Sequence, residues 1–187
     1  MSDKLNIGCG EFKKTGYINL DYFSVTPGDV THDLDIFPYP FSENQFSIIE
    51  ARHVLEHLSR PFCVMKELFR ITKPEGLLCI SVPHFTRGLT HPEHKAGFDV
   101  SFPLYFNKNF IGGYQGFELE LISMHLCWFG QPYLKKKTLR TSQYLLGKSL
   151  GFFIDCLANA SPFLCSKLWC FWVGGFDEIE YVFRVKK

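Results

Sequence analysis

The sequence predicts a doubly wound α/β fold, in which helices cover the faces of a mostly parallel sheet. Short apolar runs that resemble strands alternate with helix-compatible segments in the first half of the chain, and this alternation is typical of parallel sheets. Leu77–Val82 (LLCISV) is a continuous apolar run of the kind found in a central parallel strand. Pro61–Ile71 precedes it and predicts a helix, because it begins with a proline and repeats apolar residues at helical spacing.

Four further strand candidates lie in the first half of the chain. In order they are Leu5–Gly8, Tyr17–Leu20, a strand end at Thr31–Asp35, and Phe46–Ala51. The polar segment His53–Leu58 follows the last of them and is compatible with a helix. The sequence KPEG at 73–76 ends the helix that begins at Pro61.

The second half of the chain is less regular. Pro83–Pro103 is rich in His, Pro and Gly and is interpreted as a loop near a site, and Asn107–Tyr114 as a short helix. Phe117–Leu126 and Asp177–Val185 are strand candidates. Residues 130–175 between them form an insertion that is first basic and then strongly apolar. We expect 1–187 to be one domain that carries this insertion.

Composition excludes several classes of protein. The length of 187 residues suits one domain, and a formal net charge of +1 argues against a dedicated nucleic-acid-binding protein. The seven cysteines contain no Cys-x-x-Cys, so a zinc ribbon is not expected, and their irregular spacing fits reduced thiols in the cytosol. The start MSDKLN has no apolar segment of signal-peptide length, and no uncharged apolar run reaches the roughly 18 residues of a membrane span. We therefore expect a cytoplasmic protein.

A glycine turn and an aspartate end the first two predicted strands, in the stretch LNIGCGEFKKTGYINLD. Gly8 and Gly10 let the backbone approach a ligand closely, because they have no Cβ. Asp21, at the end of the neighbouring strand, can accept two hydrogen bonds from a ribose diol. The combination predicts a nucleoside-containing ligand at the carboxyl ends of the strands.

Two missing motifs narrow the choice of nucleoside. The dinucleotide fingerprint needs a third glycine three residues after Gly10, where this chain has Lys13, and the chain has no Gly-Lys-Ser/Thr phosphate loop. A nucleoside without phosphates fits better. S-adenosylmethionine is the commonest cofactor of that kind.

The segment from Leu5 to Phe85 resembles the class I S-adenosylmethionine-dependent methyltransferases, and most closely a small, type-11-like branch often linked to sugar and polysaccharide modification. The matching pieces, in order, are LNIGCG, GYINLD, HDLD, FSIIEARHVLEHL and ELFRITKPEGLLCISVPH. The resemblance implies a Rossmann-like, seven-stranded sheet whose last two strands form an antiparallel hairpin. Phe117–Leu126 and Asp177–Val185 would form that hairpin, with a helical insertion before the last strand.

The resemblance also implies where S-adenosylmethionine lies, with S-adenosylhomocysteine as the product. Asp33 is placed at the adenine edge, although Asp35 could serve equally. The implied contacts are Gly8, Cys9 and Gly10 for the methionine part and ribose, Asp21 for the ribose hydroxyls, Tyr22, Asp33 and Leu34 for adenine, and Arg52 and His53 for the methionine side. Glu56 and His57 belong to the family's recurrent Leu-Glu-His piece.

Two features depart from the family pattern. Only the six residues Glu11–Gly16 join the glycine turn to the second strand, whereas a parallel crossover takes about a dozen residues or more. The first helix is therefore expected to shrink to about one turn. Glu75 stands where the family often has glycine, which we expect to alter a turn without changing the chemistry.

Two histidines are candidates for a catalytic general base. His84 directly follows the fifth strand and is the first candidate, and His53 is the second, because histidine titrates near neutral pH. A purely structural role for His84, as a hydrogen-bonding residue that shapes its loop, is an equally good reading. His-Pro-Glu-His at 91–94 resembles a metal-binding pair, but its spacing on a proline-containing loop is not a standard zinc arrangement, so no metal is expected.

The apolar part of the insertion, Leu150–Val173, predicts two helices broken at Ser161-Pro162. The favoured interpretation is a lid or a subunit interface, as in a homodimer. The alternative is peripheral contact of 135–173 with a membrane or a lipid-linked acceptor, which the three lysines at 135–137 and the tryptophans favour.

The predicted function is methyl transfer from S-adenosylmethionine to an oxygen of a sugar-containing or lipid-linked acceptor. The acceptor is a small molecule, a glycan or a lipid-linked compound, and no nucleic acid is expected as a partner. One alternative is a cofactor-binding module that has lost catalysis and acts as a partner-binding surface. The other is a nicotinamide-dependent oxidoreductase, against which Lys13 argues.

Overall fold

The computed structural model describes residues 2–22 and 29–187. Within these residues a seven-stranded sheet is formed by β1 (Lys4–Ile7), β2 (Ile18–Asp21), β3 (Val30–Thr31), β4 (Phe46–Arg52), β5 (Thr72–Pro83), β6 (Glu118–Cys127) and β7 (Glu178–Lys186). The strand order is β3-β2-β1-β4-β5-β7-β6. The first five strands pair in parallel, whereas β7 is antiparallel to both β5 and β6. This arrangement confirms the predicted α/β fold class.

The helices of the described residues are α1 (Pro61–Ile71), α2 (Phe85–Gly88), α3 (Pro132–Thr138), α4 (Thr141–Ala160) and α5 (Pro162–Lys167). Short 3-10 helices lie at Leu55–His57, Phe102–Phe106 and Trp169–Phe171. The bounds of α1 are those that the sequence predicts. Among the described residues, no helix combines the length and the apolarity needed to cross a membrane.

The hydrophobic core lies on one face of the sheet. Leu5, Ile49 and Leu78 of the central strands are fully buried and lie in register with one another. The helix α1 packs on this face through Val64, Met65, Leu68 and Ile71, all fully buried. Full burial of each such side chain is worth about 1.5–3 kcal/mol. The apolar stripe of α1 therefore fixes the crossover from β4 to β5.

The crossover from β1 to β2 contains turns and no helix, which is less than the single helical turn that the sequence predicts. Two buried asparagines in adjacent strands, Asn6 and Asn19, supply the hydrogen bonds that hold it. Asn6 Nδ2 donates to Phe12 O at 3.1 Å and to Asn19 Oδ1 at 3.0 Å, and Asn19 Oδ1 also accepts from Lys14 N at 2.9 Å. Side chains of the sheet thus replace the internal hydrogen bonds of the missing helix.

The strand β5 begins before the predicted Leu77, because Thr72 already pairs with Phe46 before the register shifts. Within the shifted segment Glu75 has φ of 60°. This left-handed conformation is uncommon for residues other than glycine. The glycine that the family resemblance implies at this position therefore has a structural reason, and glutamate here adopts a less favourable backbone conformation.

Two further predictions of secondary structure are wrong. Residues Asn107–Tyr114 form turns rather than a helix, and the nearby 3-10 helix Phe102–Phe106 buries its aromatic ends in the core instead. The third strand is limited to Val30–Thr31. The chain then turns at Asp33, whose Oδ1 accepts a hydrogen bond from Asp35 N at 2.9 Å. Local bonding by an aspartate side chain replaces the rest of the predicted strand.

Candidate functional site

The glycine turn follows β1 at the edge of the sheet where the parallel strands end. Gly8 and Gly10 have φ of 59° and 48°, which glycine adopts without steric cost. A Cβ on Gly8 would lie 2.4 Å from Val54 Cγ2, whereas a Cβ on Gly10 would have no neighbour within 4 Å. Gly8 is therefore required for packing, and Gly10 leaves open space in which a ligand can approach the backbone.

Asp21 lies directly beside this turn. Its Oδ2 accepts a hydrogen bond from Gly10 N at 2.7 Å, and Cys9 N donates to Leu20 O at 3.2 Å. Because β1 and β2 are parallel neighbours, the turn and the carboxylate lie at the same edge of the sheet. Cys9 is buried, and burial raises the pKa of its thiol, so it fills space rather than acting as a nucleophile.

The candidates for contact with adenine lie around the ends of β2 and β3. Tyr22 is exposed directly after β2, and Leu34 is buried. Both oxygens of Asp35 accept a hydrogen bond from Ser59 N, at 3.0 and 3.1 Å. Asp35 therefore holds the loop after β4, which leaves Asp33 as the better candidate of the two aspartates.

Arg52 and His53 follow one another at the end of β4 but make different contacts. Arg52 is exposed, and its Nε lies 3.3 Å from Glu50 Oε2. Glu50 also pairs with Lys14 and accepts from Tyr17 Oη at 2.7 Å, both in the crossover after β1. Arg52 is therefore directed toward that crossover rather than toward His53.

His53 lies among polar groups from three parts of the chain. Its Nε2 is 3.1 Å from Glu178 Oε1, its Nδ1 is 3.5 Å from Glu56 Oε1, and Gln131 Nε2 lies 3.4 Å from the ring nitrogens. Burial lowers the pKa of His53, but the two carboxylates outweigh it and raise that pKa to about 9. In these contacts the ring carries a positive charge at neutral pH.

His84 is completely enclosed at the end of β5. Its Nδ1 lies 2.8 Å from Thr86 Oγ1 and its Nε2 lies 2.8 Å from Ser166 Oγ. Burial lowers the pKa of His84 to about 4, so the ring is neutral at physiological pH. This placement favours the structural reading of His84 and leaves His53 as the better candidate for contact with an acceptor.

A cleft of about 450 Å³ opens between the loop after β5 and the loop after β6. Because Gln131 lines it and also contacts His53, the cleft adjoins the His53 cluster. Its other polar lining residues are Arg87, Thr90, His94, Lys135 and Asp177. A larger cleft of about 560 Å³ lies beside α1, next to Asn44 and Lys187. That larger cleft contains none of the residues predicted for the site.

An ion-pair network holds the two loops around the smaller cleft. Asp177 accepts from Arg87 Nη1 at 2.6 Å and from Gly130 N at 2.9 Å, and it also pairs with Lys135. Arg87 Nη1 donates in addition to Trp128 O at 3.1 Å. Since these residues come from three connections, the network fixes the shape of the cleft.

Known proteins resemble the first part of the chain in sequence. Residues 5–80 match a family model described as a methyltransferase domain. An uncharacterized methyltransferase of Schizosaccharomyces pombe is 34% identical over 58 residues, which are 31% of this chain and 21% of that protein. The match thus spans about a fifth of the relative's length.

Solved structures resemble the whole chain in fold, at low identity. The YcgJ protein of Bacillus subtilis is 14% identical, with a TM-score of 0.55 over 98% of this chain and 91% of its own. An S-adenosylmethionine-dependent methyltransferase from Archaeoglobus fulgidus is 16% identical, with a TM-score of 0.53 over 97% of this chain and 85% of its own. This chain therefore shares its fold with both structures.

The family match and the fold together support an S-adenosylmethionine-dependent methyltransferase. The fold alone does not decide the reaction, because the [4+2]-cyclase SpnF shares it, with 14% identity and a TM-score of 0.53 over 98% of this chain and 75% of its own. The reaction of this chain must therefore be argued from its site.

Sequence reasoning missed the acidic residues that precede and begin β7. Asp177 and Glu178 lie beside the end of β5, where Glu178 pairs with Pro83. A signal was present, because the first residues of an antiparallel last strand lie at the edge where the parallel strands end. Gln131 and Arg87 gave no such signal, since both lie in connections whose path the strand pattern does not predict.

Proposed function

We propose that this methyltransferase domain transfers the methyl group of S-adenosylmethionine to an oxygen atom of a sugar-containing or lipid-linked acceptor. The cofactor assignment rests mainly on the contact of Asp21 with the glycine turn at the edge of two parallel strands. The match of residues 5–80 to a methyltransferase domain also supports it. The choice of acceptor is supported by the cleft beside His53 and by an exposed surface of α4 and α5 that is apolar and basic.

In this proposal the cofactor lies over Gly8–Gly10, and its ribose hydroxyls donate to Asp21. A carboxylate accepts several hydrogen bonds, so Asp21 can keep the bond from Gly10 N while its other oxygen accepts from ribose. The remaining proposed contacts are Tyr22, Asp33 and Leu34 with adenine, Cys9 with the turn-facing part of the cofactor, and His53, in preference to Arg52, with the methionine part.

The acceptor would lie in the cleft of about 450 Å³. Its hydroxyl oxygen attacks the methyl carbon in line with the sulfur, the carbon–sulfur bond breaks, S-adenosylhomocysteine leaves, and the hydroxyl proton is released to solvent. Holding the two reactants together in a site shielded from water supplies much of the catalysis. We assign contact with the acceptor to His53 rather than His84, because His53 adjoins the cleft and His84 is enclosed.

Replacement of His53 tests that assignment. We expect His53→Gln to lower kcat for methyl transfer more than it raises KM, because the charged ring would contact the acceptor oxygen in the transition state. Replacing the exposed His125, on β6, by Gln should change neither constant. Equal activity of His53→Gln and the wild type would contradict the role of His53.

Thermal unfolding with S-adenosylhomocysteine or NAD tests the cofactor assignment. We expect only S-adenosylhomocysteine to raise Tm, since a ligand that binds the native state alone stabilises it by mass action. Asp21→Asn should weaken this binding by about ten- to a hundredfold, the value of a lost hydrogen bond to a charged group. Glu11→Gln, an exposed change in the same loop, should not. A response to NAD alone would contradict the proposal.

The exposed side of α4 and α5 supports a lipid-linked acceptor at a membrane surface. We define the α4–α5 surface by its exposed apolar residues Leu146, Leu150, Phe153, Leu157, Leu164 and the neighbouring Trp172. Six Lys or Arg residues and a single acid lie between 132 and 173. That acid, Asp155, accepts a hydrogen bond from Trp128 N at 2.7 Å and so faces the protein. An apolar surface with basic residues fits an anionic lipid interface.

Flotation with vesicles tests the α4–α5 surface. We expect the protein to float with vesicles that contain phosphatidylglycerol and less with pure phosphatidylcholine, and added salt should weaken the binding. Leu146→Ser combined with Phe153→Ser should reduce flotation, whereas Ile122→Ser, at an exposed apolar residue of β6, should not. A concentration-dependent dimer that the double substitution abolishes would assign the surface to a second copy of the chain instead.

Label transfer tests the acceptor class itself. With labelled S-adenosylmethionine, we expect incorporation into glycan or glycolipid extracts at an oxygen atom. If the label enters neither extract, the acceptor class is wrong. Binding of S-adenosylhomocysteine without turnover on any extract would favour the alternative of a non-catalytic cofactor-binding module.

A further inference from the structure

A second cluster of polar side chains lies near the cleft, outside the proposed cofactor contacts. It consists of Glu56 and His57, in the 3-10 helix after β4, and His94, in the loop after α2. One ligand-capable atom from each residue lies within 4.8 Å of the other two. The loop is held to the 3-10 helix by a hydrogen bond from Lys95 N to Glu56 O at 2.7 Å. The chain therefore brings the adjacent Glu56 and His57 together with His94, which is 37 residues after His57 in the sequence.

The carboxylate of Glu56 is the least satisfied group of this cluster. Its residue is 1% exposed, and neither Oε1 nor Oε2 has a hydrogen-bond partner among the described residues. Its nearest recorded charge is His53 Nδ1, at 3.5 Å from Oε1. Buried carboxylates are normally hydrogen-bonded, paired or bound to a metal, because removing the charge from water costs several kcal/mol. Beyond this one ion pair Glu56 has no polar side-chain partner among the described residues, so Oε2 remains available to an added ligand.

His94 is oriented as metal-binding histidines are. Its Nδ1 donates to the carbonyl oxygen of Gly88 at 2.5 Å, so Nε2 is the ring nitrogen that could bind a metal. A hydrogen bond from the other ring nitrogen to a carbonyl is the usual outer contact of a histidine ligand, because it fixes the tautomer and the ring direction. His94 also lines the cleft of about 450 Å³.

We propose that Glu56, His57 and His94 bind a divalent transition-metal ion, with zinc as the best match. Two histidines and one glutamate form a ligand set found in catalytic zinc sites, where a fourth position stays open. Ligands around zinc lie about 3.3 Å apart, as follows from bonds of about 2.0 Å, so the cluster must contract by a side-chain rotation. The open position would face the cleft. Only its use by an acceptor oxygen rests on the proposed function.

The proposed ligands differ from the His-Pro-Glu-His pair that stands out in the sequence. His91 and His94 form the His-Pro-Glu-His pair, but His91 stacks on His94 with ring centroids 4.6 Å apart. His91 Nδ1 accepts a hydrogen bond from Glu93 N at 3.3 Å. The partner of His94 is instead the Glu-His pair at 56–57, which the sequence analysis places in a family motif without a ligand role.

Direct metal binding tests the proposal without any measurement of activity. Protein stripped with a chelator is titrated with Zn²⁺, and with Co²⁺ to record the visible bands of a low-coordinate site. We expect one ion per chain and a rise in Tm with added Zn²⁺. Glu56→Gln and His94→Gln should each weaken binding at least about a hundredfold, since loss of a ligand exceeds the 10–100-fold effect of losing an outer contact.

Two histidines outside the ligand set provide matched controls. His91→Gln removes the ring that stacks on His94, and His125→Gln removes an exposed histidine of β6. Both variants should keep one ion per chain and the Co²⁺ spectrum. Cooperative thermal unfolding of each metal-free variant shows that it is folded. The proposal is overturned if wild-type protein binds no ion at micromolar Zn²⁺, or if Glu56→Gln and His94→Gln bind as tightly as the controls. S-adenosylhomocysteine binding is scored separately, so failure of one assignment leaves the other standing.

Discussion

The first 83 residues and the rest of the chain build their parts of the candidate site with different kinds of contact. In the first part, the turn and the carboxylate that we assign to the cofactor are 11 residues apart and lie on adjacent parallel strands. In the second part, the cleft depends on contacts such as Arg87–Asp177, which are 90 residues apart. A local site leaves a readable motif, whereas a site assembled from distant loops does not.

Gly8→Ala should cause the largest loss of stability, and it acts on the first region. The new Cβ would overlap Val54 Cγ2 at 2.4 Å, and the φ of 59° disfavours alanine as well. We expect a loss of about 3 kcal/mol or more in the free energy of unfolding, because overpacking and a left-handed backbone add. Urea denaturation measures the loss.

Gly10→Ala is the matched control for this prediction. Its φ of 48° disfavours alanine too, but the new Cβ would have no neighbour within 4 Å. We expect a cost of about 1 kcal/mol together with weaker binding of S-adenosylhomocysteine, since the methyl group enters the proposed cofactor space. Val54→Ala should reduce the cost of Gly8→Ala. Equal costs of the two glycine substitutions would contradict this account.

Acidification should weaken the junction between the two regions at His84. This enclosed histidine has a pKa near 4, against 6.5 in the unfolded chain. Burial lowers the pKa of His84, Asp99 opposes that effect, and Lys167 adds to it. Because the unfolded chain binds the proton first, the stability from neutral His84 is complete above pH 6.5 and is lost as the pH falls toward 4. The full loss is about 3 kcal/mol.

Denaturation at pH 7 and pH 4.5 measures this effect. His84→Gln cannot titrate, so its free energy of unfolding should fall less between the two pH values than that of the wild type. A matched exposed control is His125→Gln, which should fall as the wild type does. Equal pH dependence of wild type and His84→Gln would show that His84 does not carry the proton.

The same contrast explains what could be predicted from the sequence. The helix Pro61–Ile71 has its predicted bounds, because its apolar stripe and its first proline act locally. The seven-stranded sheet and the antiparallel pairing of its last two strands follow from the family resemblance and are confirmed. The helix predicted at Asn107–Tyr114 is wrong, because burial of Phe102 and Phe106 in the core decides that segment, and such burial depends on distant strands.

In the candidate site, too, local contacts could be predicted from the sequence and distant ones could not. The sequence places Asp21 beside the glycine turn, and the structure has that contact. The contacts of His53 with Glu178 and Gln131 join segments that are 125 and 78 residues apart in sequence, and no spacing rule predicts them. The cofactor and catalytic roles assigned to these residues stay predictions.

Asp177→Asn should loosen the second region by a smaller amount. It leaves Arg87 and Lys135 without their shared carboxylate. We expect a loss of about 1–2 kcal/mol in the free energy of unfolding, because the pair is partly exposed and solvent screens it. Asp3→Asn removes the exposed pair with Lys73, at 3.5 Å, and should cost much less, because solvent screens that pair more strongly. Similar losses for the two variants would show that the network does not hold the cleft.

The smallest effect is expected on the α4–α5 surface, where an exposed and a buried residue of one helix can be compared directly. Phe153 is 65% exposed, whereas its neighbour Ile154 is 9% exposed on the same helix. Phe153→Ser should change the free energy of unfolding by no more than about 0.5 kcal/mol. Ile154→Ser should cost about 2 kcal/mol or more, because it places a hydroxyl in the core and leaves a cavity.

The two substitutions change one helix by the same chemistry, so helix propensity and length do not differ between them. If Phe153→Ser costs as much as Ile154→Ser, the α4–α5 surface is already covered in solution, and size measurement would then reveal a second copy of the chain. If Phe153→Ser leaves stability unchanged and lowers flotation with anionic vesicles, the second region has an apolar surface that folding does not require. Binding at an interface would then be the reason for so many exposed apolar side chains on α4 and α5, just as the proposed approach of a ligand would be the reason for open space beside Gly10.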